Sequence, residues 1–189
     1  MNIFLGGVNG SGKTTILQGI HELRPEWNIV KGSQRLMEQL GIPGDYDTLR
    51  ATDPLVLKRA IEIMMKTLLK EGSIFPHQIV DSHFLNLNYG VVYQVADTWI
   101  AGFDALVLLS VPAEKIFERM KKDTHRDRAL FSKTTAPEEE HAILEAYIQE
   151  TEKEFLHLAQ TYTLPHRKIE NTEKDQAIAE LIQFIESLS

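Results

Sequence analysis

Cysteine is absent from the 189 residues. That excludes disulfides and thiolate zinc sites, and it fits a reducing compartment. Basic residues are in deficit: 20 Lys and Arg stand against 27 Asp and Glu, a formal net charge of −7. Such a balance gives no electrostatic footprint for DNA or RNA, whose binding needs a basic face. No stretch approaches the roughly 18 consecutive apolar residues of a membrane helix. The opening residues MNIFLGGVNG carry no basic n-region, and their apolar run is too short for a signal peptide. Internal repeats, low-complexity tracts and Pro/Gly/Ser-rich linkers are likewise missing. The expectation is a soluble, cytoplasmic protein with one domain over 1–189 and with neither a nucleic-acid nor a membrane partner. Oligomeric state is not legible in it.

What is present has an ordinary globular balance, with 43% hydrophobic and 25% charged residues. Short apolar runs at Ile3–Leu5, Trp27–Val30, Ile79–Val80, Ala105–Val111 and, more weakly, Lys168–Ile169 are of strand length. The first and fourth lack polar alternation, as strands covered on both faces require. Between the runs lie helix signals. Thr52-Asp53-Pro54 supplies a cap and a first-turn proline for Leu55–Glu71, which ends at Gly72. Pro137 with Glu138, Glu139 and Glu140 places negative charge at a helix start. Thr172 with Asp175 reads as a capping box before Ala177–Leu188. Strand and helix in alternation predict an α/β sandwich with a mostly parallel sheet.

GVNGSGKT from Gly7 to Thr14 satisfies the spacing G-x-x-x-x-G-K-[ST] of a phosphate-binding P-loop. Gly7, Gly10 and Gly12 permit backbone conformations closed to residues with a Cβ. The amides of Gly7, Asn9, Gly10, Ser11, Gly12, Lys13, Thr14 and Thr15 can then converge on phosphate oxygens. The helix that follows adds its positive end. Lys13 is placed for the β- and γ-phosphates, and the Thr14 hydroxyl for Mg²⁺. The loop also stands between a plausible strand, Asn2–Leu5, and a plausible helix, Lys13–Leu23. These features predict ATP and Mg²⁺ as ligands. A GTPase would need Asn-Lys-x-Asp and Asp-x-x-Gly, and neither string occurs, so a kinase is the favoured class.

Gln78-Ile79-Val80-Asp81 delivers a carboxylate at a strand end, where P-loop proteins hold Mg²⁺ through water; the alternative is a surface aspartate that begins a turn. His83 is placed to contact an acceptor phosphate or position a water, and an ordinary loop histidine is the other reading. Glu118 to Arg128 is the densest basic stretch. Arg119, Arg126 and Arg128 there suit a closing lid that surrounds a transferring phosphoryl group with cations. The alternative is a solvated helix end whose cations balance the dipole. The histidines show no H-x-x-x-H arrangement, and Mg²⁺ carried with ATP is the only metal expected.

Taken in order, GVNGSGKTT (Gly7–Thr15), VDSH (Val80–His83) and R-x-x-x-D-x-x-R-x-R (Arg119–Arg128) resemble the nucleoside monophosphate kinases, closest to the archaeal-type adenylate kinases. LGIPGDYDTLR (Leu40–Arg50) looks like the AMP-side helix and loop of that family, and IEN (Ile169–Asn171) like the strand end beside the adenine. The resemblance implies a three-layer P-loop sandwich around a five-stranded parallel sheet. It also implies an NMP-binding arm near residues 32–72 and a short lid near 120–136. The implied reaction is ATP plus a nucleoside monophosphate giving ADP plus a nucleoside diphosphate. Lys13 and Thr14 would hold the donor phosphates and metal, Arg119 would lie against adenine or phosphates, and Asn171 beside the base. Arg126 and Arg128 would neutralise the moving phosphoryl group, and Arg50 would anchor the acceptor phosphate. Two features differ from the family pattern, both on the acceptor side. The helix from Pro137 to Tyr162 contains no arginine, leaving His141 or Lys153 as candidate substitutes, and Gly32-Ser33-Gln34 stands where Gly-Asp is the pattern. A P-loop kinase for another small acceptor, or a slow regulatory ATPase, therefore stays open.

Overall fold

The computed structural model describes residues 1–122, 130–131 and 134–188. Five strands form one sheet: β1 (Asn2–Gly6), β2 (Asn28–Lys31), β3 (Gln78–Asp81), β6 (Ala105–Ser110) and β7 (His166–Glu170). Their order across the sheet is β2-β3-β1-β6-β7, with every pairing parallel. Each apolar run read as a strand is one of these five. The fold class is as expected, α/β with a five-stranded parallel sheet.

The period of two along a strand explains the layers. In β1, Ile3 and Leu5 face one side, where α1 (Lys13–Leu23) and α7 (Lys174–Glu186) cover them through Ile16, Leu17, Ile20, Ile178 and Leu181. Phe4 faces the other side. There it meets Met64, Met65 and Leu68 of α4 (Pro54–Glu71) and Phe155 and Leu158 of α6 (Pro137–Thr161). Ile3, Phe4 and Leu5 are all fully buried, and each such side chain contributes about 1.5–3 kcal/mol of hydrophobic stabilisation. Two apolar faces on one strand require helices on both sides, which is why β1 sits at the centre. Phe4 is further fixed by edge-on contacts with Phe84 and Phe103, at centroid distances of 5.0 and 5.4 Å.

Helix starts follow their local chemistry at two of three expected places. Asp53 accepts from the amides of Leu55 (2.9 Å) and Val56 (3.2 Å), and Pro54 fills the first turn of α4. Pro137 opens α6 with Glu138, Glu139 and Glu140 in its first turn. The capping box expected at Thr172 and Asp175 is not made. Glu173 is the capping residue of α7, without a side-chain bond, so the chain enters the helix one residue later than the box requires.

A hairpin was not anticipated. Residues 85–94 form an antiparallel hairpin of β4 (Leu85–Asn88) and β5 (Val91–Gln94). Its tight turn is made by Tyr89 (φ 49°) and Gly90 (φ 79°), both left-handed, as a two-residue hairpin loop needs. From the middle of LGIPGDYDTLR to one residue past its end runs a short helix, α3 (Tyr46–Ala51), started by Asp45, which accepts from the amide and hydroxyl of Thr48. Residues 32–71 thus carry α2 (Gly32–Gln39), α3 and α4. α5 (Ala113–Lys122) precedes the segment read as a lid, and Arg126 and Arg128 lie outside the described residues. Among the described residues no helix is long and apolar enough to cross a membrane.

Candidate nucleotide-binding site

Because β1 is the middle strand, the loop that leaves it at Gly7 opens at the centre of the sheet's carboxyl edge, and α1 begins at Lys13. Ligands of open α/β sheets bind at such an edge. The loop is wound tightly on itself. The Ser11 amide donates to Val8 O at 3.2 Å, and the amides of Thr15 and Ile16 donate to Gly12 O at 3.0 and 3.1 Å. Gly12 caps α1 at φ 90°, a left-handed conformation, and a Cβ there would meet Asn171 Nδ2 at 2.5 Å. Both facts require glycine at this position.

The Lys13 ammonium is buried and folded beneath the loop, donating to Gly7 O at 2.7 Å and Val8 O at 3.3 Å. Thr14 and Thr15 are exposed in the first turn of α1. Asp81 ends β3 in register with Leu5 of β1 and Lys31 of β2. Burial raises its carboxyl above the usual carboxylate range, while the ammonium groups of Lys13 and Lys31 oppose the shift. Lys31 was not singled out in the sequence. Its one signal is its place as the last residue of β2.

His83 meets the same carbonyl that Lys13 uses. Its Nδ1 is 2.9 Å from Gly7 O. A carbonyl only accepts, so Nδ1 carries the proton and the ring is the neutral Nδ1–H tautomer. Burial first, and the charge of Lys13 second, push the ring's pKa down to about 3.

The loop is also braced by Arg119 of α5 and by Asn171, which directly follows β7. Arg119 Nη1 donates to Ser11 O at 3.0 Å and Gly10 O at 3.4 Å, and Nη2 to Asn171 O at 2.9 Å. Asn171, itself buried, donates from Nδ2 to Ser11 O at 2.7 Å. Asn9 Nδ2 reaches Asn86 Oδ1 of β4 at 3.3 Å, which ties the loop to the hairpin. Gly7, Asn9, Gly10, Ser11, Gly12, Lys13, Asp81, His83, Arg119 and Asn171 are therefore one connected cluster. Arg50 is elsewhere occupied: it sits on α3 in an ion pair with Asp47 of the same helix. The geometry is that of a cradle of backbone amides at a helix N-terminus, with a cation below it and a carboxylate beside it. Such a cradle can hold an anionic polyphosphate.

A family model described as an AAA domain matches residues 6–136. The chain belongs to that family. This AAA domain aligns along nearly its whole length with solved P-loop kinases. It superposes on shikimate kinase from Acinetobacter baumannii, solved in complex with shikimate, with a TM-score of 0.66 at 15% identity, over 98% of this chain and 93% of the other. For shikimate kinase from Bacteroides thetaiotaomicron the TM-score is 0.65 at 17% identity, over 98% of each chain. For deoxyadenosine kinase from M. mycoides, solved with bound dATP, it is 0.60 at 18% identity, over 98% of this chain and 100% of the other. No curated protein matches the sequence. At these identities the likeness is one of fold, and the fold of this AAA domain is that of the P-loop kinases.

The bolt between Asn171 and the loop has a measurable weight. Asn171→Ala removes a buried hydrogen bond but leaves Ser11 O its bond from Arg119. A loss of about 1 kcal/mol is expected, read as a lower urea midpoint with an unchanged slope. An unaltered midpoint would mean that Arg119 alone holds that part of the loop.

Proposed function

We propose that this protein is an ATP-dependent phosphotransferase that passes the γ-phosphoryl group to a small acceptor, with a nucleoside monophosphate, AMP first, as that acceptor. The observation that carries the reading is the convergence of Lys13, Thr14 and Asp81 around the P-loop at the sheet's carboxyl edge, with Arg119 packed over the loop. In this reading the loop amides and Lys13 hold the β- and γ-phosphates, and Arg119 and Asn171 fix the loop that does so. Arg126 and Arg128 neutralise charge on the moving group. Phosphoryl transfer asks little covalent chemistry of the protein and much positioning.

The residues present fit Mg²⁺. Among the described residues neither the Thr14 hydroxyl nor the Asp81 carboxylate is engaged in a hydrogen bond, so both are free to hold a hard cation, Thr14 directly and Asp81 through water. A Mg²⁺ ion held by Thr14 and Asp81 would supply positive charge against the charge that develops on the transferred phosphoryl group.

A second reading, a kinase for a different small acceptor, has specific support. Arg50, the arginine best placed in the sequence to grip an acceptor phosphate, is held by Asp47. α6 offers no arginine in its stead, and the fold is shared with shikimate kinases. A coupled ADP-release assay separates the readings when nucleoside monophosphates and a panel of hydroxylated acids and sugars are offered in turn with Mg²⁺-ATP. Stimulation by AMP at least about tenfold above the acceptor-free rate is expected. Stimulation by a non-nucleotide alone would replace the first reading with the second. ADP release independent of every acceptor would overturn both in favour of a slow ATPase.

A further inference from the structure

Away from the P-loop, α5 and α6 bring together three side chains, of which the sequence singled out only His141, as a candidate substitute for an acceptor-side arginine. Glu114 lies in the first turn of α5, and His141 and Glu145 are one turn apart on α6. One ligand atom from each lies within 4.8 Å of the other two. His141 Nε2 is 3.9 Å from Glu114 Oε1, and its Nδ1 is 3.6 Å from Glu145 Oε1. Both separations exceed a hydrogen bond, and neither nitrogen makes one elsewhere among the described residues. The imidazole therefore stands between two carboxylates without donating to either.

The ring is nevertheless held in place. It stacks on Phe117, one turn along α5 from Glu114, with centroids 5.4 Å apart and planes 14° apart, and Phe117 in turn stacks on Phe131 at 6.2 Å and 15°. An aromatic ladder that fixes a histidine plane beside two glutamates is a rigid donor with two adjustable ones. Metal–ligand bonds of about 2.0–2.2 Å place neighbouring donors of a tetrahedral centre roughly 3.3–3.5 Å apart. The 3.9 and 3.6 Å separations run to opposite nitrogens of the ring; taken as one ligand atom per residue, the three donors lie within 4.8 Å of one another, up to about 1.5 Å wider than such a centre. Glu114 and Glu145 are largely exposed, so rotation of their side chains can bring both carboxylates to the same nitrogen.

We propose that Glu114, His141 and Glu145 form a binding site for a divalent transition-metal ion of the zinc type, joining α5 to the start of α6. One imidazole nitrogen, two carboxylates and a water complete four-coordination, and the two carboxylates balance the charge of the ion. An imidazole in the set favours Zn²⁺, Co²⁺ or Ni²⁺ over Mg²⁺ and Ca²⁺, which take oxygen ligands. The site bridges two helices, so the ion stabilises the folded state through both. A sequence search for paired histidines misses it, because the pair on α6 is His-x-x-x-Glu and the third ligand comes from another helix.

The test is a titration of chelator-treated protein, without nucleotide, with ZnSO₄ in buffer containing millimolar Mg²⁺. Calorimetry is followed by thermal melting. The expected result is one equivalent bound in the presence of Mg²⁺ with a raised melting temperature. Substitution by His141→Ala, or by Glu114→Gln with Glu145→Gln, should weaken binding by roughly tenfold or more. Cobalt provides an independent reading: the wild type should develop visible d–d bands that His141→Ala lacks. All three residues are on the surface, and circular dichroism verifies that the variants fold. Zinc bound equally well by wild type and variants, or no binding by the wild type below about 0.1 mM, would overturn the proposal.

Discussion

Replacing Lys13 with methionine is expected to lower phosphoryl transfer by roughly 10³-fold or more, the scale on which losing one preorganised charge contact at a transition state acts. The side chain is of similar length, so the change removes the ammonium and little volume. In the structure that ammonium is buried and shared between Gly7 O and Val8 O. It is also the charge that most opposes the upward shift of the Asp81 carboxyl. On the proposed function, losing it removes a cation from the phosphate cradle and pushes Asp81 further towards its neutral form, which is the wrong form for holding Mg²⁺. Both effects act on the same step. Folding should suffer much less, since a buried ammonium carries a desolvation cost that methionine does not. The coupled ADP-release assay measures the first effect, and a thermal melt the second. Activity within about tenfold of the wild type, in a variant that melts normally, would show that Lys13 is not the phosphate cation.

How much of this site could be read in the sequence depends on distance along the chain. Gly7 to Thr15 is a contiguous segment whose spacing is itself the chemistry, and the strand and helix that flank it announce themselves by apolar pattern. The partners that brace it do not. The contact of His83 with Gly7 O spans 76 residues, that of Arg119 with Ser11 O 108, and that of Asn171 with Ser11 O 160. Residue type and order suggested that these belonged near a nucleotide. Only the strand order β3-β1-β6-β7 brings them to one loop, with Arg119 carried there on the helix after β6. Arg50 presents the reverse case. Its sequence context points to an anion, and three residues away Asp47 supplies one from the protein itself. The hairpin was legible in principle, since Leu85 and Leu87 alternate with Asn86 and Asn88 before Tyr89-Gly90. Its strands are four residues long, short enough to pass for loop.

Between pH 7 and pH 5 the protein is expected to lose stability because His83 is neutral in the folded state and not in the unfolded one. Its folded pKa is about 3 against an unperturbed 6.5. Over that window the unfolded chain binds a proton that the folded chain refuses, so stability is complete above pH 6.5 and declines as pH falls towards 3. The slope is about 1.4 kcal/mol per pH unit, roughly 2 kcal/mol by pH 5 and 4–5 kcal/mol over the full range. His77, lowered by burial, acts in the same direction. Asp81 acts in the other: its raised pKa means the folded state takes up a proton more readily, so acid relieves part of the cost of burying its charge. Asp45 and Asp97, with lowered values, lose their contributions only below the ordinary carboxylate pKa of 3.8, outside the window. His83 therefore dominates from pH 6.5 to 5. His83→Asn keeps an N–H donor near the position of Nδ1 and cannot titrate. Urea denaturation at pH 7.5, 6.5, 5.5 and 5.0 should show a falling midpoint for the wild type and a much flatter one for the variant. Parallel declines would mean that the acid lability lies elsewhere. The consequence for the loop is direct, since protonating His83 would set a second cation beside Lys13 on the single carbonyl of Gly7 that both now share.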